Sequence, residues 1–251
     1  MATLRLNPYF LFLLAGLLLT AAALMRPAPI LVFAALAPLI AITDQAKSET
    51  AWHRLELILL ALAAGFWALS RSYTHSLVAT LCYAILCTLV VGLFVFTSQT
   101  LGNRAGKLVL VLLWLAAEYL FLVLPVGDGL FLADFLALQQ NWTRWTSHSG
   151  YLGASLWVLV ANLAAYEGLF KKGIKIFWLV AWLMLVAGPI ALSYMMEADA
   201  LSREAMINLY RSDQPVVGMY AQRGEWIART CAWVSALVLL YAAVKNKTKK
   251  K

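Results

Sequence analysis

A chain of 251 residues that is 63% hydrophobic and only 13% charged departs from a soluble domain, which carries about 25% charged and about 45–50% apolar residues. Together with a mean hydropathy of +0.79, this composition points to a polytopic membrane protein and excludes an ordinary soluble enzyme. The net charge of +8 does not argue for nucleic acid, because five of the last seven residues are lysines placed directly after an apolar run; that tail reads as a cytoplasmic anchor at anionic headgroups or as a solubilising end.

Crossing a bilayer as a helix takes about 20 apolar residues, with a range of about 17–25. Runs of that kind fall near 8–25, 28–43, 53–70, 74–98, 107–125, 151–168, 174–196 and 226–244. The sequence therefore predicts an all-α, polytopic membrane helix bundle of about eight transmembrane helices, forming a single domain over 1–251. The second run is short and holds Pro29 and Pro38, so a kinked or partly re-entrant helix is expected there. The first run follows Arg5 and ends in Ala21-Ala22-Ala23. That pattern also fits a cleaved signal peptide, but one positive charge and a second span almost at once favour a retained helix. With eight spans both termini share a side, and every lysine falls on that side. The positive-inside rule then places both termini in the cytoplasm and the polar segment 197–225 outside.

Ionisable residues inside apolar runs are functional candidates by default. Glu118, in the middle of the fifth run, reads either as a polar contact for a headgroup or substrate or as a helix–helix hydrogen bond. Asn162 reads first as interhelical glue, and Gly150, Gly153 and Ser155 as small residues that permit close packing. The stretch 126–150, "VGDGLFLADFLALQQNWTRWTSHSG", is too apolar for a solvated loop and too interrupted for a span. An interfacial or re-entrant helix is expected over "LFLADFLAL", followed by Trp142 and Trp145 at headgroup depth, with Asp128, Asp134, Arg144 and His148 at the same level. A lipid-facing vestibule and a plain interfacial anchor both have this composition.

The three cysteines, Cys82, Cys87 and Cys231, have no metal-ligand or disulfide spacing, and His53, His75 and His148 form no obvious metal site. The chain has no GxSxG, HExxH or Walker A motif. No cofactor, metal or nucleic-acid partner is expected.

Four stretches carry a resemblance to a known family. "RPAPILVFAALAPLIAI" resembles an early short span with a Pro-ended apolar run, and "VLLWLAAEYLFLVLP" resembles a span with Trp followed by Glu-Trp-Leu, placing Glu118 at the family glutamate. "WTSHSGYLGASLWVLVANLAAY" is similar to a Gly-x-x-Gly-x-Ser…Asn span entry over Gly150, Gly153, Ser155 and Asn162. "GMYAQRGEWIARTCAWVSALVLLY" is similar to a Tyr-x-Arg-x-Gly-Asp lead-in to a last span, with Glu225 in place of the aspartate. The family is apolipoprotein N-acyltransferase, the bacterial inner-membrane enzyme that moves an acyl chain from phospholipid to the N-terminal cysteine of lipoproteins.

The resemblance implies an inner-membrane protein with an outward vestibule, for which the candidate residues are Glu118, Asp134, Trp142, Trp145, His148, Tyr151, Asn162, Tyr220, Arg223 and Glu225. It implies membrane phospholipid and lipoprotein acyl chains as partners. In the family a nitrilase-like hydrolase domain carrying a Glu–Lys–Cys set lies between the last two spans. Here that position holds only 197–225, which contains neither cysteine nor lysine and is too short for a layered α/β core. No catalytic residue is carried over. Three functions remain open: an inert lipid- or lipoprotein-binding relative, beside a full-length acyltransferase; the membrane half of a split enzyme acting with a separate hydrolase subunit; and a transport or scaffold protein. Within 197–225, "DALSREAMINLY" is expected to form a short surface helix and "MYAQRGE" to lead into the last span.

Overall fold

A computed structural model describes residues 6–25, 29–44, 51–73, 77–101, 103–124, 130–171, 173–211 and 223–249, and among these there are helices and no strand. Helix α1 (Pro8–Leu24) starts with proline at its first position and with Asn7 capping it, the Asn7 Oδ1 accepting from the Tyr9 amide at 3.0 Å. A 3₁₀ turn over Pro29–Leu31 leads into α2 (Val32–Ala35) and α3 (Ala37–Asp44), which together replace the second run by a broken helix. Long helices follow: α4 (Ala51–Tyr73), α5 (Leu77–Leu101) and α6 (Asn103–Val123). After the irregular stretch 130–145 come the short α7 (Thr146–Ser149), then α8 (Leu152–Leu169) and α9 (Ile176–Met195). A nine-residue α10 (Arg203–Arg211), lying where a short helix is expected after α9, and the terminal α11 (Trp226–Lys249) complete the chain.

Among the described residues, five helices are long and apolar enough to cross a membrane: α4, α5, α8, α9 and α11. Helix α1 and the 29–44 stretch are apolar but shorter, and α6 has 21 residues and carries Lys107 and Glu118. Helix α1 packs on α4, α4 on α5, α5 on α6, and α6 on α11, so the last helix returns to the middle of the chain. Close approach of α1 and α4 is made possible by Gly65, where a Cβ would meet the Leu19 Cβ at 2.6 Å. Helix α8 is the hub, 78% buried along its span, and α2, α3, α6 and α9 all pack on it. Helices α9 and α11 are peripheral, with Phe177, Met184, Trp233 and Leu237 exposed as lipid-facing residues would be.

Both interior prolines leave backbone groups that must find partners where there is no water. Pro38 breaks the second run at Leu36. The Asn162 side chain enters the gap: its Oδ1 accepts from the Leu36 and Ala37 amides at 2.7 and 3.1 Å, and its Nδ2 donates to the Val32 carbonyl at 2.7 Å. Trp182 Nε1 donates to the Phe33 carbonyl at 3.1 Å. In α9, Pro189 frees the carbonyl of Leu185, four residues earlier, and Trp157 Nε1 donates to it at 2.6 Å. Side chains of α8 and α9 thus satisfy the backbone groups opened at the break before Pro38 and the carbonyl that Pro189 leaves without an amide.

A candidate vestibule at one end of the bundle

The site begins with a piece of backbone that is not α-helical and yet is buried. Where an interfacial or re-entrant helix is expected, Leu132–Leu136 forms one 3₁₀ turn, and Leu132, Ala133, Asp134, Phe135 and Leu136 are all buried. The stretch is a plug set into the end of the bundle, not a segment lying on its surface. Its mostly apolar side chains explain this, since a surface helix needs a polar face.

Burying that turn requires partners for its leading amides, and three different elements supply them. Phe131 N donates to Asp134 Oδ2 at 2.9 Å, Leu132 N to Glu118 Oε1 at 2.9 Å, and Ala133 N to Ser155 Oγ at 3.0 Å. Glu118, on α6, also accepts from Tyr83 Oη of α5 at 2.7 Å and from Trp114 Nε1, one turn earlier, at 3.3 Å. Asp134 Oδ1 accepts from Tyr151 Oη at 2.7 Å and lies 3.8 Å from Arg203 Nε at the start of α10.

Tyr151 connects this group to the lead-in of α11. Glu225 caps α8, accepting from the Tyr151 amide at 2.6 Å and the Leu152 amide at 2.9 Å; a carboxylate at a helix N-terminus is also favoured by the helix dipole. Glu225's own amide donates to Tyr210 Oη of α10 at 2.9 Å, and burial raises the Tyr210 phenol above its ordinary pKa. Three buried carboxyl groups, Glu118, Asp134 and Glu225, are therefore linked through Tyr151 and the plug backbone.

Gly150 makes the Glu225 cap possible. Its φ of 92° and ψ of 161° lie in a region that only glycine enters readily, and a Cβ there would run into the Glu225 carboxylate. Gly150→Ala is expected to cost about 1–3 kcal/mol from backbone conformation alone, and more if the carboxylate is displaced. Thermal unfolding in detergent checks this, and an unchanged midpoint would refute the coupling of Gly150 to the cap.

The remaining candidates divide. Trp145 stacks edge-on against Trp157, with centroids 5.7 Å apart, so it faces the bundle and not only the headgroup level. Trp142 is partly buried, and its carbonyl accepts from Ser193 Oγ at 2.8 Å, tying the segment after the plug to α9. His148 stands outside the network, with its Nδ1 2.9 Å from Ser147 Oγ in an exposed pair. Asn162 is deeper, in the helix break, and is not part of the vestibule. Arg223 is exposed, and Asp128 and Tyr220 lie outside the described residues.

Beside the network, a cavity of about 300 Å³ opens between the plug and the first turn of α10. Ala133, Leu136, Ala154 and Leu201 give it apolar walls, while Thr143, Thr146, Tyr151 and Arg203 add polar groups. Such a mixture suits an amphiphile, with an apolar body and a polar end. The geometry of this network positions and hydrogen-bonds, and among its described residues no nucleophile is set against a base.

Sequence reasoning missed Tyr83, Arg203 and Tyr210, whose partners come from distant parts of the chain. It also missed a second polar cluster at the other end of α6 and α8. There Lys107 Nζ lies 2.9 Å from Glu167 Oε1, Lys171 Nζ lies 2.7 Å from the same oxygen, Tyr166 Oη donates to Asp44, and Lys107 sits over the Tyr166 ring. The i, i+4 spacing of Glu167 and Lys171 was the available signal.

No family model, curated protein or solved structure matches the chain. By helix length and hydropathy it is a multi-pass membrane protein.

Proposed function

We propose that the protein is a catalytically inert relative of the membrane part of apolipoprotein N-acyltransferase, and that it holds a phospholipid or lipoprotein acyl chain in the cavity beside the plug. In this reading the chain makes eight passes, with the broken 29–44 helix and α6 among them, in a bacterial inner membrane with both termini cytoplasmic and the vestibule outside.

One observation carries the proposal. Three stretches that suggested the family, far apart in sequence, meet at one place. Glu118 comes from the first, Tyr151 and Ser155 from the second and Glu225 from the third, and all converge on the plug backbone or on one another. The apolar walls of the cavity, next to hydroxyls and an arginine, supply the amphiphile chemistry. The 197–225 loop, without cysteine or lysine, leaves the chain with no acyl-accepting thiolate of its own there.

The test purifies the full chain in a mild detergent and identifies the bound lipid by mass spectrometry. Wild type is expected to retain about one acyl-chain lipid per protein, and Ala154→Trp, which fills the cavity, to lose it while still folding. Equal lipid in both, at the level of the detergent background, would refute the reading. A complementation arm separates function from binding: in cells depleted of their acyltransferase this chain alone is expected not to restore growth, and rescue would overturn the inert assignment.

A further inference from the structure

Helix α10 is fastened unlike any of the long helices. It is one-sided, with Arg203, Glu204 and Asn208 among its polar residues and a single fully buried residue, Met206, beneath it. Among the described residues, polar attachments hold both of its ends. Arg203 Nε forms an ion pair with Asp134 at 3.8 Å, and Tyr210 Oη accepts from the Glu225 amide while its ring meets Tyr119 edge-on at 6.1 Å. Ahead of it, the Leu201 amide donates to Thr146 Oγ1 at 3.1 Å. The cavity lies along this seam, with Leu201, Ser202, Arg203 and Glu204 on the α10 side and the plug and α8 on the other.

We propose that α10 is a hinged lid whose movement opens the cavity and, behind it, the Asp134–Tyr151 pair to the aqueous side. Lifting it withdraws buried Met206 with the partly buried Leu201, Ile207 and Tyr210 and parts the contacts at its two ends, whereas moving the hub helix α8 would unpack a core face shared by four helices. The hinge on the leading side is the non-helical stretch 196–202 after α9. The lid gives access to the amphiphile site proposed above and rests on that reading only for what passes through. Local opening of this sort is drawn from the least fastened elements of a fold.

The test uses cysteine accessibility in the full chain in nanodiscs, with a charged, membrane-impermeant methanethiosulfonate as probe. Cys82, Cys87 and Cys231 are replaced by alanine and a reporter is introduced as Ala154→Cys, with Ala133→Cys as a second position should the first fold poorly. Both positions line the cavity and are buried. The reporter is expected to react slowly in the otherwise unchanged protein. Met206→Ala should accelerate it at least about 10-fold, because truncating a buried methionine costs more than the roughly 1.4 kcal/mol that a factor of ten represents, while Met206→Leu should leave the rate near the original. A parallel variant keeps native Cys87, buried on α5, as a reporter of global opening. A rate that Met206→Ala leaves unchanged, or a Cys87 rate that rises in parallel with the reporter, overturns the lid. Lipid is not needed for this measurement. A static lid would leave the lipid reading intact, and absence of bound lipid would leave a mobile lid standing.

Discussion

Asn162→Leu is expected to destabilise the protein by about 3 kcal/mol or more, the sum that the loss of several backbone partners implies. The side chain satisfies the Leu36 and Ala37 amides and the Val32 carbonyl where Pro38 interrupts the helix. Leucine fills similar volume but leaves those backbone groups without their partner. Each buried, unsatisfied group costs about 1–3 kcal/mol, and no water is available to replace the lost bonds inside a bundle of apolar helices. Asn162→Asp gives the finer test. Aspartate can accept from both amides but has no donor for the Val32 carbonyl, and it brings a charge to a site whose hydrogen-bond partners are all backbone groups. It is therefore expected to be no better than leucine at neutral pH. Unfolding of the detergent-solubilised protein, followed by tryptophan fluorescence against wild type, measures both. A loss below about 1 kcal/mol for Asn162→Leu, less than one unsatisfied group, would mean that the break closes into a continuous helix when the asparagine is removed.

The same residue shows what sequence conveys and what it does not. Run lengths place the apolar helices, because an apolar stretch of sufficient length has to be satisfied as helix. Pro38 marks the break, since proline has no amide to give. Which side chain fills the break is not readable: Asn162 lies 126 residues from Leu36, and nothing local to either announces the other. Glu118 is legible for the opposite reason, as a carboxyl group in an apolar run must be satisfied somewhere. Its principal partners are not, because one is a backbone amide, Leu132 N, and nearly every residue has one. Of the two expectations for "LFLADFLAL", an interfacial or a re-entrant helix, its length fits both; its lack of a polar face is the signal against the interfacial one, and the buried stretch is a 3₁₀ turn. Asp134 in that run serves its own backbone, accepting from the Phe131 amide, which is how a carboxylate can sit in a buried turn.

At the other end of α6 and α8, the ion cluster predicts an asymmetry between two substitutions that break the same pair. Lys107 and Glu167 have side chains 7% and 11% exposed, whereas Lys171 is 30% exposed. Removing one partner of a buried ion pair costs about 3–5 kcal/mol, because the other charge is left without compensation. Lys107→Met does not strand Glu167, which keeps Lys171 at 2.7 and 2.8 Å. Glu167→Leu takes from Lys107 its hydrogen-bonded carboxylate and leaves the cation over the Tyr166 ring, with the Asp44 carboxylate that accepts from Tyr166 as its remaining opposite charge. The glutamate substitution, which takes the hydrogen-bonded carboxylate from both lysines, is therefore expected to cost more than the lysine substitution, which leaves Glu167 paired with Lys171. The double variant Lys107→Met with Glu167→Leu should recover most of the loss, since two apolar side chains of similar volume no longer need each other. Equal effects of the two single variants would show that Lys171 does not hold Glu167 in the folded protein. A double variant as unstable as Glu167→Leu alone would show that the cost lies in packing around Glu167 and not in the loss of its carboxylate as the partner of Lys107.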